Sequence, residues 1–142
     1  MNNRTYYNEI LTEHNADPLH KHMIANPSKM LRGVNPSCGD DITLLINTDE
    51  NGMITEGSYV GDGCAISQAS ADIMIDMIIG KSVDEALKLK DKFIKMIHGE
   101  ASEEEIESLE EASALRDISH MPSRVKCAVL SWHTLEEMYK DK

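Results

Sequence analysis

A chain of 142 residues and 15.9 kDa fits one domain, 1–142, which excludes a separate catalytic and cofactor domain. Its 41% hydrophobic residues supply a core without disulfide staples. Fourteen Lys and Arg against 25 Asp and Glu leave a net charge of −11, which repels phosphate backbones and argues against nucleic acid as a partner.

Tyr6 to Asn15 has helical spacing, with Tyr7, Ile10, Leu11 and His14 on one face, and Pro18 stops it. Asp17 to Ser37 carries Pro18, Pro27, Gly33 and Pro36 and few periodic apolar positions. That pattern predicts an irregular arm with one short strand over Met30 to Val34. Asp41 to Thr48 suits a strand, Asp49-Glu50-Asn51-Gly52 holds the Asn-Gly pair of a hairpin turn, and Met53 to Val60 returns. Gly61-Asp62-Gly63-Cys64 reads as a tight junction before a helix.

From Ala65 to Ile79, Ile66, Ala69, Ile73 and Met77 recur at helical spacing, and Gly80 closes the run. Ser82 with Glu85 is a capping-box pattern opening a helix to about Ile97, ended by Gly99; Ser102 with Glu105 repeats the signal. Glu100 to Glu111 holds seven glutamates and no basic residue, so it reads as a solvated helical face or as a docking surface for a basic partner. The last helix runs from Pro122 to Lys140, with Val125, Val129, Trp132 and Leu135 as its apolar stripe.

No apolar run reaches the roughly 18 to 20 residues of a membrane-spanning helix, and the first ten residues lack the order of a signal peptide. The chain therefore reads as cytoplasmic, without a membrane partner. Three cysteines, Cys38, Cys64 and Cys127, are odd in number and widely spaced, which fits a reducing compartment where thiols bind metals or react. Cys38-Gly39-Asp40 can turn a thiol and a carboxylate toward one ion, and Cys64 sits at a helix start that favours its thiolate. Three thiolates and a carboxylate suit tetrahedral zinc, and they can also hold iron or an iron–sulfur cluster.

The competing reading is that each cysteine is a small buried hydrophobe. Cys38 and Cys64 lie at glycine junctions, and Cys127 falls off the stripe of the last helix, so a core role explains them poorly. The six histidines, His14, His20, His22, His98, His120 and His133, read as surface or boundary residues. Met74 and Met77 read as adaptable core filler.

Three motifs together carry a resemblance: Asn35-Pro36-Ser37-Cys38-Gly39-Asp40-Asp41-Ile42, Gly61-Asp62-Gly63-Cys64-Ala65-Ile66-Ser67, and Arg124-Val125-Lys126-Cys127 with Leu130-Ser131-Trp132. With them the chain resembles the IscU/NifU N-terminal family of iron–sulfur assembly proteins, and within it the SufU branch. Scaffold-type members typically carry a histidine before the third cysteine, where this chain has Lys126. SufU-type members also carry an extra segment between the second and third cysteines, which the acidic helical stretch at about 99–115 supplies. One departure is His14-Asn15-Ala16-Asp17-Pro18, which lacks the aromatic residue and lysine usual after the first helix.

The resemblance implies an α+β fold, a three-stranded antiparallel sheet packed by helices, with zinc held by Cys38, Asp40, Cys64 and Cys127. It implies a sulfurtransferase activity in which Cys38 accepts sulfane sulfur from a SufS-type cysteine desulfurase and passes it to the SufBCD machinery. In that scheme a histidine of the desulfurase displaces Cys38 from zinc. Arg124 matches an arginine kept near the site, an electrostatic helper. The alternative is an IscU-like scaffold that binds iron and assembles a [2Fe–2S] cluster on the same cysteines.

Overall fold

A computed structural model describes residues 3–140. Helix α1, Asn3–Ala16, leads into a strap that reaches strand β1, Lys29–Asn35. Strands β2, Asp40–Thr48, and β3, Ile54–Asp62, complete an antiparallel sheet in the order β1-β2-β3. Helices α2, Ala65–Ile78, α3, Val83–Ile97, and α4, Glu103–Ser108, follow. A 3₁₀ segment, Glu110–His120, and helix α5, Pro122–Met138, close the chain. This is the expected α+β arrangement.

The strands alternate because side chains point to opposite faces with period two. Ile42, Leu44 and Ile46 of β2 enter the main core with Ile73, Met74 and Ile78 of α2, Phe93 of α3 and Trp132 of α5. Leu45 points to the other face and is buried there, as is Ile24 of the strap. The strap is tied down at both ends: Tyr59 N–H donates to the His20 carbonyl at 2.9 Å, and Ser28 N–H donates to Asn47 Oδ1 at 2.7 Å.

Phe93 and Trp132 stack with ring centroids 4.3 Å apart, joining α3 to α5. Trp132 Nε1–H donates to Ser70 Oγ at 3.0 Å, and Ser70 Oγ–H donates to the Ala128 carbonyl at 2.6 Å. These bonds hold α2, which Cys64 caps, against α5, which contains Cys127.

Four expectations need correction. Strand β1 is longer than Met30 to Val34 and pairs with β2 along its full length, from Lys29↔Ile46 to Asn35↔Asp40. Its weak pattern has a packing cause: Gly33 lies against α5 so closely that a Cβ there would meet Thr134 Oγ1 at 2.1 Å. The hairpin is also looser than a two-residue Asn-Gly turn. Residues 49–53 form the connection, where Asp49 Oδ1 accepts the N–H of Asn51 and of Met53, and Met53 bridges to Ser82 instead of continuing β3.

The stretch after the acidic helix is a 3₁₀ segment that buries Ala112, Ala114, Leu115 and Ile118. Finally, His14 is not a surface or boundary residue. Only 4% exposed, it is ion-paired on both ring nitrogens.

Candidate metal centre

The β1–β2 turn, the start of β2 and helix α5 bring three of the four expected ligands, Cys38, Asp40 and Cys127, together at the end of the sheet where β1 and β2 meet. Between these strands the chain reverses in a turn, with Cys38 N–H donating to the Asn35 carbonyl at 3.2 Å. Gly39 takes a φ of +70° there, a conformation that costs glycine little. The turn leaves Cys38 half-buried at the rim and starts β2 with Asp40, which is buried. Cys127 comes from α5 and is fully buried. Its side chain belongs to the core cluster, while its sulfur faces Cys38 and the Asn35 amide.

Ligand atoms of Cys38, Asp40 and Cys127 all lie within 4.8 Å of one another, the only such group of metal-ligating side chains among the described residues. Cys127 Sγ–H donates to Cys38 Sγ at 3.0 Å. Cys64 stands outside that group. Its sulfur caps α2 by accepting the Ser67 N–H at 3.4 Å, and its own backbone N–H donates to Asp40 Oδ1 at 2.8 Å.

Asp40 is the hub of this arrangement. Besides Cys64 N–H, it accepts Ser67 Oγ–H at 3.0 Å and Asn35 Nδ2–H at 3.2 Å. Burial pushes its carboxyl up, but the bonds from Cys64, Ser67, Asn35 and Cys127 outweigh that and hold it below the usual carboxylate value. Gly63 has no side chain for a spatial reason, since a Cβ there would sit 2.4 Å from Ser67 Oγ and 2.8 Å from Asp40 Oδ1.

The Cys127 thiol is raised, first by burial and then by its bonds to Cys38 and Cys64 and the charges of Cys64 and Asp40. Asn35 Nδ2 reaches the Cys127 sulfur at 3.8 Å as well as Asp40. Arg124, exposed one turn before Cys127, is raised by a hydrogen bond to Cys127 and by the charges of Cys64, Cys127 and Cys38. Its guanidinium is thus the cation that faces the sulfurs. The donor chemistry suits a thiophilic divalent ion: two sulfurs and one carboxylate oxygen converge, and amide and hydroxyl groups orient them.

The fold and the cluster together define the class: a small α+β chain that gathers two thiols and one carboxylate, a donor set suited to a metal ion, at the end of a three-stranded antiparallel sheet. It belongs to the NifU-like N terminal domain family, whose model matches residues 6–141. The chain is 37% identical over 134 residues to the iron–sulfur cluster assembly scaffold protein IscU of Streptococcus pyogenes serotype M1, covering 94% of this chain and 82% of the relative. It is 35% identical over 133 residues to the zinc-dependent sulfurtransferase SufU of Bacillus subtilis, covering 94% and 88%.

Among solved structures it is similar to an iron–sulfur cluster assembly scaffold protein for the SUF system from Fervidobacterium islandicum AW-1. The two match with a TM-score of 0.83 and 35% identity, over 95% of this chain and 97% of the other. The family expected from the three cysteine motifs is the family found. No helix among the described residues is long and apolar enough to cross a membrane.

Proposed function

We propose that this chain is a zinc-dependent sulfurtransferase of iron–sulfur cluster assembly, with Cys38 as the sulfur acceptor. The observation that carries the reading is the convergence of Cys38, Asp40 and Cys127 ligand atoms within 4.8 Å, with the Cys38 thiol alone of the three standing at the rim. The residues that would hold zinc are Cys38, Asp40, Cys64 and Cys127, with the Cys64 sulfur leaving its cap on α2 to join the other three, and bound zinc would keep the coordinated thiols deprotonated at neutral pH.

Cys38 acts as a thiolate that attacks the outer sulfur of a persulfide presented by a SufS-type cysteine desulfurase. A sulfur–sulfur bond forms to Cys38, the partner's sulfur–sulfur bond breaks, and the partner's inner sulfur leaves as its thiolate. No net oxidation occurs. The Cys38 persulfide then serves the SufBCD machinery as a sulfur donor. Asp40 and Asn35 hold the donor set in place, and Arg124 offsets the negative charge of the thiolates and draws an anionic persulfide toward them. Free thiols at all three cysteines fit work in a reducing cytoplasm.

A second reading is supported by the IscU name of the Streptococcus relative: the same side chains hold a [2Fe–2S] cluster as a scaffold. Incubation with a SufS-type desulfurase and cysteine, followed by peptide mass measurement, separates the two. The sulfurtransferase reading expects one added sulfur on the Cys38 peptide of the zinc-loaded protein and none in Cys38→Ala. Absence of sulfur on Cys38, together with a visible cluster once iron is supplied, supports the scaffold instead.

A further inference from the structure

Away from the thiols, α1, α2 and the 3₁₀ segment meet at one buried histidine. His14 Nδ1 lies 2.5 Å from Asp72 Oδ2, and Nε2 is bonded to Glu111 Oε1. Asp72 is wholly buried, yet well supplied with donors: besides the imidazole it accepts the N–H of Leu19 at 3.1 Å and of His20 at 2.8 Å. A buried carboxylate needs such compensation, and an imidazolium provides the opposite charge. An imidazole with carboxylates on both nitrogens must be protonated on both to bond both.

We infer that His14 is a charged clamp: held as an imidazolium between Asp72 and Glu111, it fastens the acidic stretch 103–120 and the chain leaving α1 to the α1–α2 pair, and the stretch loosens when that charge is lost. Each partner ties down a different segment. Asp72 joins His14 to the first turn of the strap through Leu19 and His20. Glu111 joins it to the 3₁₀ segment, directly after Glu110, where the backbone bends with a φ of +50°. The clamp thereby fixes where the exposed Glu104, Glu107 and Glu110 stand on the body.

The direction of the pH dependence follows from the surroundings. The bond to Asp72 raises His14, burial opposes it, and Glu111 adds to the rise, leaving it at about 9 against an ordinary 6.5. Other charged and titratable groups stand around the clamp: Asp76 of α2, Lys81 and Glu110 line one hollow with Tyr6 and Glu111. Tyr6 of α1 is raised by burial and then by Glu111 and Glu13. Tyr59 of β3 is raised by burial and then by Asp72. Both shifts favour the neutral phenol.

With its folded value above the unfolded one, His14 contributes its full stabilisation below about pH 6.5 and loses it as pH rises through about 9. Asp72 is pulled the other way: burial raises it, but His14 and the Leu19 and His20 amides lower it overall. Its share is lost only in acid, as pH falls below the ordinary carboxylate value of 3.8. The inference stands on these contacts and not on what the thiol cluster does.

The test is nuclear magnetic resonance titration of the His14 ring, with amide hydrogen exchange of the parent, His14→Gln, Glu111→Gln and Asp72→Asn. The clamp predicts a His14 midpoint near 9 in the parent. It predicts at least about a tenfold loss of protection over 103–120 in Glu111→Gln at neutral pH, with the Leu19 and His20 amides and the β2–β3 ladder still protected. Asp72→Asn loses protection at Leu19 and His20 as well. Should His14→Gln fail to fold, Glu111→Gln and the parent's pH dependence decide alone. A His14 midpoint near 6.5, or unchanged protection over 103–120 in Glu111→Gln, overturns the clamp.

Discussion

Asp40 and Asn35 show how much of the proposed metal centre lies in the groups that do not react. Asn35 ends β1, opposite Asp40 in the ladder, and its one amide group serves both Asp40 Oδ2 and the Cys127 sulfur. Outer partners of this kind orient ligands, and their loss typically costs about 10- to 100-fold in metal affinity. Asn35→Ala is therefore expected to weaken zinc binding by about that factor in a chelator competition, while Cys38 still takes up sulfur once zinc is saturating. Zinc affinity equal to the parent's would remove Asn35 from the centre.

Residues of this kind differ in how well a sequence announces them. Cys38-Gly39-Asp40 and Gly63-Cys64 are local patterns: the first turns Cys38 and Asp40 toward each other, and the second puts Cys64 at the start of α2 as its cap, outside the group of converging ligand atoms. Cys127 has no such signature, since its full burial depends on where α5 lands on α2 and the sheet. His14 has even less: its partners are 58 and 97 positions away, and the one hint was its place on the apolar face of α1.

At the scale of elements, the packing of α5 on β1 brings Cys127 to Cys38 and Asp40, and α5 is held in turn by the α2–α5 contact. Trp132 lies at its centre, fully buried, stacked on Phe93 and donating to Ser70. Trp132→Ala removes the ring, leaves a cavity and strips Ser70 of a donor, so it should lower the unfolding free energy by about 3–5 kcal/mol in urea titrations. A loss within about 1 kcal/mol would mean that the helix pair does not rest on this ring.

The elements read most clearly from sequence are those whose stabilisation is local. Ser82–Glu85 and Ser102–Glu105 form complete capping boxes, as their spacing predicts. Strand β1 and the 3₁₀ segment were less legible because tertiary packing forms them. The first is a glycine-containing edge strand laid against α5. The second is a run of small and apolar residues whose shape is set by α1 and α3.

Across the whole molecule the excess of acidic charge is partly neutralised within the fold. Glu105 pairs with Lys95 of α3, Glu103 with Arg116, and Glu111 with His14, so the acidic stretch is neither wholly solvated nor wholly free for a partner. Its sequence pattern showed a charged helix but not these anchors, because the basic partners lie on other elements. The thiol site sits at the end of the sheet where β1 and β2 meet, and Arg124 gives it a local positive charge on an otherwise anionic chain. Under the proposed function, that charge would direct an anionic persulfide to the sulfurs and not to the body of the molecule.

The measurement that bears most directly on this account is cysteine desulfurase turnover, read as sulfide under limiting reductant, with the zinc-loaded, metal-stripped and Cys38→Ala forms of the chain. The account predicts strong stimulation by the zinc-loaded protein alone. Equal stimulation by Cys38→Ala or by the metal-stripped form would contradict it.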